Sequence, residues 1–401
     1  MLYTRSKNSS KKRVNLKVGV MIDELHTGGI EKIAIQQVGA LKRIGKKAGL
    51  IVLRRVKIEA YPYAEFLKNT PVIYLDDRLP RWFKFSFKIP FFSYLSLFHL
   101  TYPLFLPWVV GKKEFTVLVS HGTYTTFTAL TLKFFKGIPF FVFIWDPIYY
   151  ILKKAYVFGP IRIFFFVLLP LARFFDRLIV TFSNGVFVAG SPHLNYLKSV
   201  GASRIIKLYP GVEPIDKLPD KKEKFILSVT GWTQAKKPDY NLELIRALPS
   251  SHLIMAGSWY PKNSEEDFRQ KVKDERLTDR VEITGALEEN KLRRLYQEAL
   301  VLLQTNDDRG FGLPALEAAA HGCTFIIPQG QGVGELFEDK VDGFFTKERD
   351  TKVILEKLKL LIGDPKLARR MGESAWTKVA NSYSWEKHAQ KLSKEVERLF
   401  Q

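Results

Sequence analysis

The run Gly310–Gly322, reading GFGLPALEAAAHG, concentrates residues that could do chemistry. A glycine-rich turn, Gly310-Phe311-Gly312-Leu313-Pro314, leads into a small-residue helix with a single acid, Glu317. Proline at the first helical position loses nothing, because its N–H would have no intrahelical partner there. The free amides of the turn then face outward at the positive end of a helix, which suits a phosphate or a developing anion. Glu317 stands one turn further in, within reach of ligand hydroxyls. Ala318, Ala319 and Ala320 let the helix pack closely. The same residues also fit a plain glycine turn and a buried helix with a capping acid, and a motif this short carries a real false-positive rate.

Other short runs stand in order along the chain. Gly28-Gly29-Ile30-Glu31-Lys32 follows a first apolar stretch, and Tyr209-Pro210-Gly211-Val212-Glu213 falls near the middle. Val229-Thr230-Gly231-Trp232 precedes Lys236-Lys237, and two further apolar runs end in Gly257 and Gly285. Gly332-Val333-Gly334-Glu335 and Val341-Asp342-Gly343-Phe344 come last. Each is weak alone, but their order and spacing together are specific. The series resembles the family-4 (group 1) retaining glycosyltransferases, whose members typically read E-G-F-G-L-P-x-x-E followed by A-x-A-x-G, with G-G-x-E-[KR] after the first strand.

The resemblance implies the GT-B fold, an α/β architecture of two Rossmann-like domains facing each other across a cleft. It implies a hexosyltransferase that takes its sugar from a nucleotide diphosphate donor, with no metal or other cofactor required. Such chemistry must hold the nucleotide, stabilise the departing diphosphate and position a sugar as it becomes oxocarbenium-like. By the same resemblance Glu317 binds the ribose hydroxyls, and Gly310, Phe311, Gly312 and Leu313 line the donor pocket with Gly231. Gly28 and Gly29 approach the diphosphate or the acceptor from the other wall, where glycine alone allows so close a backbone contact. Lys237 is the expected diphosphate cation, with Lys236 the alternative if the loop shifts by one residue. Glu335 is a donor contact or a helix-terminal acid. Asp146, in Ile144-Trp145-Asp146-Pro147, is the polar group expected nearest the acceptor, where an aspartate can accept or orient a hydroxyl proton; His121 is the other candidate.

Two positions depart from the family pattern. Arg309 stands where the first glutamate of E-x7-E belongs, and Trp232 stands where an arginine follows the first strand of the second domain. Arg309 restores the lost cation from across the pocket, Asp308 takes the sugar contact, or the site is degraded. These departures keep open a catalytically weak GT-B protein that binds a sugar nucleotide or a partner. A sugar-nucleotide epimerase of GT-B fold is a further alternative.

Composition narrows the setting. Of the 62 Lys+Arg and 41 Asp+Glu, residues 1–215 hold 31 and 11, so nearly all of the net charge of +21 lies in the first half. That asymmetry points to an acidic partner. The uncharged, aromatic run Ile89–Val110 and the run Pro160–Phe175, with Arg162 and Arg173, fit an anionic membrane surface better than nucleic acid, whose binders interleave aromatic with polar groups. Ile89–Val110 is long enough to span a bilayer, but Pro90, Pro103 and Pro107 interrupt a helix, and the run also fits buried core with no membrane role. The expected partners are therefore a nucleotide-sugar donor, a lipid-linked or glycan acceptor and an anionic membrane, with no nucleic acid. The lone Cys323 suits a reducing compartment, and the expected location is cytoplasmic, peripheral on the inner membrane face.

Short β-branched runs separated by helical stretches predict parallel sheets covered on both faces. First-domain strands are expected at Leu16–Ile22, Leu50–Arg54, Val72–Leu75, Thr116–Ser120, Phe140–Ile144, Arg177–Thr181 and Ile205–Leu208. A linker near 211–224 separates domains of residues 1–213 and 214–384, and the segment 385–401 is expected to pack back on the first. Ligands in such sheets bind at the carboxyl ends of the strands.

Overall fold

The computed structural model describes residues 16–400 apart from 27, 56–63, 69, 80–104, 106–107, 112–113, 156–159, 220–221, 306–309 and 348–349. Among these residues the chain builds two parallel sheets. The first contains β1 (Lys17–Ile22), β2 (Lys47–Val52), β3 (Val72–Tyr74), β4 (Val117–His121), β5 (Phe140–Phe143), β6 (Val186–Val188) and β7 (Ile205–Lys207), in the order β3-β2-β1-β4-β5-β6-β7. The second contains β8 (Phe225–Val229), β10 (His252–Ala256), β12 (Val281–Gly285), β13 (Val301–Leu303), β14 (Thr324–Pro328) and β15 (Phe344–Thr346), in the order β12-β10-β8-β13-β14-β15. Two short segments, β9 (Trp232–Thr233) and β11 (Trp259–Tyr260), pair beside it. Strands β4, β5, β8 and β14 are buried at every residue, as expected of parallel strands with helices on both faces.

One expected strand is a helix. Arg177–Thr181 lies within the helix Phe165–Phe182, and the strand of that region is β6, nine residues further on. The apolar run Leu178-Ile179-Val180 is short enough to read as either element, since periodicity alone cannot separate a buried strand from a buried helical turn. In the structure Ala172, Asp176, Ile179 and Val180 form the helix's buried face, a spacing of three, four and seven that only a helix satisfies.

The chain passes between domains at Val212 and returns beside the same place at Ser384, where the two segments form a parallel bridge. The helix Trp385–Glu397 then lies along the helix Gly29–Arg43 of the first domain. Trp385, Ala389, Leu392 and Val396 are buried there, and Arg43–Glu386, Lys46–Glu397 and Arg204–Glu395 pair at 2.6, 2.5 and 3.0 Å around the edges. A third link joins Gly190, after β6, to Gly332: a Cβ on Gly190 would stand 2.6 Å from the Gly332 Cα, so the two backbones meet only because both residues lack one.

Of the run Ile89–Val110, only Phe105 and residues 108–110 fall within the described residues; Trp108 is 81% exposed and Val110 is buried. No helix among the described residues is long and apolar enough to cross a membrane.

Candidate active site

The turn before Glu317 is built as its residue types require. Gly312 has φ +85°, and a Cβ on it would meet Gln331 Oε1 at 2.5 Å and Val333 Cγ1 at 2.8 Å. Pro314 sits in the first turn of the helix Leu313–Ala320, which is buried from Ala315 to Ala320. The Phe311 carbonyl accepts from Val333 N at 2.7 Å and the Gly310 carbonyl from Gly332 N at 3.1 Å, so the turn is tied to the Gly332-Gly334 loop.

Glu317 faces a cavity of about 240 Å³ between the domains. Gly29 and Lys32 line it from the first domain; Thr230, Gly231, Gly257, Ser258, Leu287 and Leu313 line it from the second. The structure thus brings Gly29, Gly231, Leu313 and Glu317 together at the carboxyl ends of β8, β10 and β12, with Gly28 capping the helix that begins at Gly29. Glu317 Oε1 accepts from Lys32 Nζ at 2.5 Å, and Oε2 accepts from the Tyr296 hydroxyl at 3.0 Å. Lys32 also reaches Glu289 at 2.8 Å, and Arg293 bridges Glu289 at 3.1 Å and Glu213 at 2.6 Å. Burial works against the Lys32 charge, but Glu317 and Glu289 outweigh it and hold its pKa above the ordinary lysine value. Burial likewise opposes the Glu289 charge, and Lys32 and Arg293 reverse the balance and lower its pKa. Burial, with the Glu317 carboxylate, pushes the Tyr296 hydroxyl well up, so it stays a neutral donor.

The other expected site residues occupy different places. Gly310 and Phe311 line a second, smaller cleft with Trp145, Gly190 and His193. Asp146 accepts a hydrogen bond from, or pairs with, His193 Nε2 at 3.0 Å, and its own carboxylate is partly exposed. His121 is enclosed: its Nε2 bonds Gln37 Oε1 at 2.7 Å and burial lowers its pKa to about 3, so of the two candidates Asp146 stands at the open end. Lys236 and Lys237 lie on the turn after β9; Lys237 is exposed in a left-handed conformation with φ 48° and is not on the wall of the large cavity. The Glu335 carboxylate is taken up across the domains by Lys207 at 2.7 Å, the Tyr209 hydroxyl at 2.9 Å and the Ser191 amide. Trp232 is in the core, stacked on Trp259 and donating to the Ala256 carbonyl at 3.1 Å. Arg309, with Asp307 and Asp308, lies outside the described residues. No cluster of three or more His, Cys, Asp or Glu forms a metal site among the described residues.

Sequence reasoning missed Lys32, Glu289, Arg293, Tyr296 and His193. The signal for Lys32 was its place four residues after Gly28. His193 follows β6 directly, at the strand end where ligand-facing residues collect, but the strand itself was misplaced.

Residues 213–377 match the family model for glycosyl transferases group 1. The match lies in the second domain and covers about two fifths of the chain. The mouse protein named alpha-1,3/1,6-mannosyltransferase ALG2 is 28% identical over 202 residues, covering 47% of this chain and 48% of its own. The Xanthomonas oryzae GDP-mannose:cellobiosyl-diphosphopolyprenol alpha-mannosyltransferase is 32% identical over 100 residues, covering 24% and 26%. The chain spans about half or less of the length of these curated relatives. Solved structures match along nearly all of it. Sucrose-phosphate synthase from Thermosynechococcus elongatus gives a TM-score of 0.78 at 16% identity, over 96% of this chain and 99% of that one. Anabaena Alr3699/HepE, solved with UDP-glucose, gives 0.72 at 13% identity, over 96% and 100%. The fold around the glycosyltransferase domain is therefore GT-B.

Proposed function

We propose that this protein is a retaining hexosyltransferase that moves a hexose from a nucleotide diphosphate donor to a lipid-linked or glycan acceptor at an anionic membrane surface. The observation that carries the reading is the cavity between the domains, glycine-lined on both walls, with one buried carboxylate at its back and a helix start at its rim. A ribose takes the Glu317 carboxylate, and the diphosphate meets the glycine-turn amides of Gly29 and Gly310–Leu313, with Lys237 and Arg309 as the cations for the leaving charge. Asp146, held by His193, orients the acceptor hydroxyl. The relatives that act on nucleotide sugars and polyprenyl-linked acceptors support the donor and acceptor classes.

A panel of nucleotide sugars, followed by calorimetry and by product release, tests this reading. Glu317→Ala is expected to weaken donor binding by about 1–3 kcal/mol, the scale of a lost hydrogen bond to a charged group. Unchanged affinity and turnover in that variant exclude the ribose assignment. Retention is read by NMR of the product anomer; inversion of the donor's configuration overturns it. Trp232 favours a second reading, since the side chain replacing the family cation is fully committed to the core. Tight donor binding with neither transfer nor donor hydrolysis, on any acceptor fraction, selects that weak-catalyst reading.

The membrane part rests on the first domain's surface. On and before the helix Phe165–Phe182, Ile163 is 73% and Phe166 76% exposed, and Phe164, Val167, Leu171 and Phe174 join them. Phe134 and Phe135 are exposed as well, with Phe134 against Phe182 at the end of the same helix, and Arg162, Arg173 and Arg177 are exposed along the segment. Aromatics beside arginines fit the interface of an anionic bilayer, each charge adding about 1 kcal/mol. Flotation with vesicles containing phosphatidylglycerol is expected, weakening as salt rises, and Phe166→Ser with Arg173→Ser is expected to lower it. Equal flotation on neutral vesicles, or none on either, removes the membrane from the proposal.

A further inference from the structure

We infer that Lys32 is a positioning residue for donor recognition: it holds Glu317 in its ribose-binding state only while the two domains are joined. The inference rests on the reading that Glu317 binds the ribose, and extends it to a residue of the opposite domain.

Lys32 stands in the first turn of the helix Gly29–Arg43, immediately behind the glycines that face the large cavity. Its ammonium lies 2.5 Å from Glu317 and 2.8 Å from Glu289, both on the second domain, and the three side chains are only 10, 11 and 9% exposed. Lys32 and Glu317 also border a second cavity of about 20 Å³, lined in addition by Glu289, Arg293 and His321. The pair, with Leu313, thus forms wall shared by the two cavities.

The charges around Glu317 are few. Arg293 balances Glu289 and Glu213, and its bonds do not reach Glu317. His321 approaches through Nδ1 and the Glu317 carbonyl, not the carboxylate, and burial keeps it neutral with a pKa of about 4. Tyr296 offers a neutral hydroxyl. Lys32 is therefore the one cation bonded to the Glu317 carboxylate among the described residues. A buried carboxylate stripped of its cation is costly where it stands and turns away from the site, so its oxygens no longer face the ribose hydroxyls. Separation of the domains withdraws Lys32 and has the same result, so tight ribose recognition belongs to the joined state.

The test measures binding of UDP and GDP, and of their 2′-deoxy and 3′-deoxy counterparts, to the full chain across pH 5–8. Lys32→Met is expected to weaken binding of the preferred ribonucleotide about 10- to 100-fold and to reduce its preference over the deoxy forms. In a Glu317→Gln background the further effect of Lys32→Met shrinks to about threefold or less, as for two residues acting through one contact. Should Lys32→Met fail to fold, Lys32→Gln, which keeps a hydrogen-bond donor at that depth, takes its place. A folded Lys32 variant that keeps the wild-type preference for ribose over deoxyribose, or whose loss multiplies with that of Glu317→Gln, overturns the inference. Glu317→Gln that itself binds normally overturns the ribose reading and the inference with it.

Discussion

The helix Gly29–Arg43 takes part in two buried polar networks that reach across the molecule, and they are built oppositely. At its first turn Lys32 enters a charged cluster with Glu317, Glu289 and Arg293. About a turn and a half on, Gln37 enters a neutral chain: its Oε1 meets His121 Nε2 at 2.7 Å, its Nε2 meets His388 Nε2 at 3.2 Å, and His388 Nδ1 meets the Tyr209 carbonyl at 2.7 Å. With His121 and His388 uncharged, every contact in that chain has one donor and one acceptor. The charged cluster borders the cavity between the domains; the neutral chain lies under the point where the chain crosses between domains. Opposite charges hold a contact that a ligand can exploit. Satisfied neutral dipoles hold a junction with no charge left over, at the cost of sensitivity to protons.

Acid exploits that sensitivity and is expected to have the largest effect. Burial pushes His121 down to about 3 and His388 down to about 4. The unfolded chain takes up these protons first, near the ordinary histidine pKa of about 6.5. The contribution is therefore complete above about pH 6.5 and is lost as pH falls toward 4, by on the order of 3 kcal/mol for each imidazole. Urea unfolding at pH 7.5, 6, 5 and 4.5 measures it, and His388→Gln is expected to flatten that slope. Parallel pH dependence in wild type and variant would remove the neutral chain as its source.

Charge reversal distinguishes the other network. Lys32→Glu places a third carboxylate against Glu289 and Glu317 and is expected to cost about 3–5 kcal/mol, the scale of breaking a buried ion pair. A melting temperature within a degree or two of wild type would mean that the cluster opens to water in solution.

Gln37→Leu is expected to be the mildest, at about 1–3 kcal/mol, since it strands two imidazoles without creating a charge. If it costs more than Lys32→Glu, the contrast between the networks is reversed.

How much of this was legible in the sequence follows from distance along the chain. Gly310–Glu317 declared its turn, its proline and its buried acid because all of them are local. The glycines after β8 and β10 declared the cavity rim, since strand ends in parallel sheets gather on one edge. Lys32 was visible in its motif, but nothing local shows that Glu289, 257 residues away, faces it. Glu289 and Arg293 read as an ordinary charged helix surface. Trp232 was noticed as a substitution, yet only packing reveals that Trp259 and the Ala256 carbonyl claim it. The misplaced sixth strand had the opposite cause: its apolar run was local and ambiguous, and tertiary contacts settled it as helix.

The way the helix Trp385–Glu397 lies on the first domain sets the order in which the molecule can be completed. The face it covers, along the helix Gly29–Arg43, belongs to the first part of the chain to be synthesised. Its cover is made only after the whole second domain has emerged. Through that interval the newborn first domain carries an open apolar groove and a Gln37 whose Nε2 lacks its His388 partner, while the second domain has all of its strands to hand. The first half to be made is therefore the last to be finished, and a fragment ending at the linker would carry the same open groove permanently, the condition under which partly folded domains aggregate.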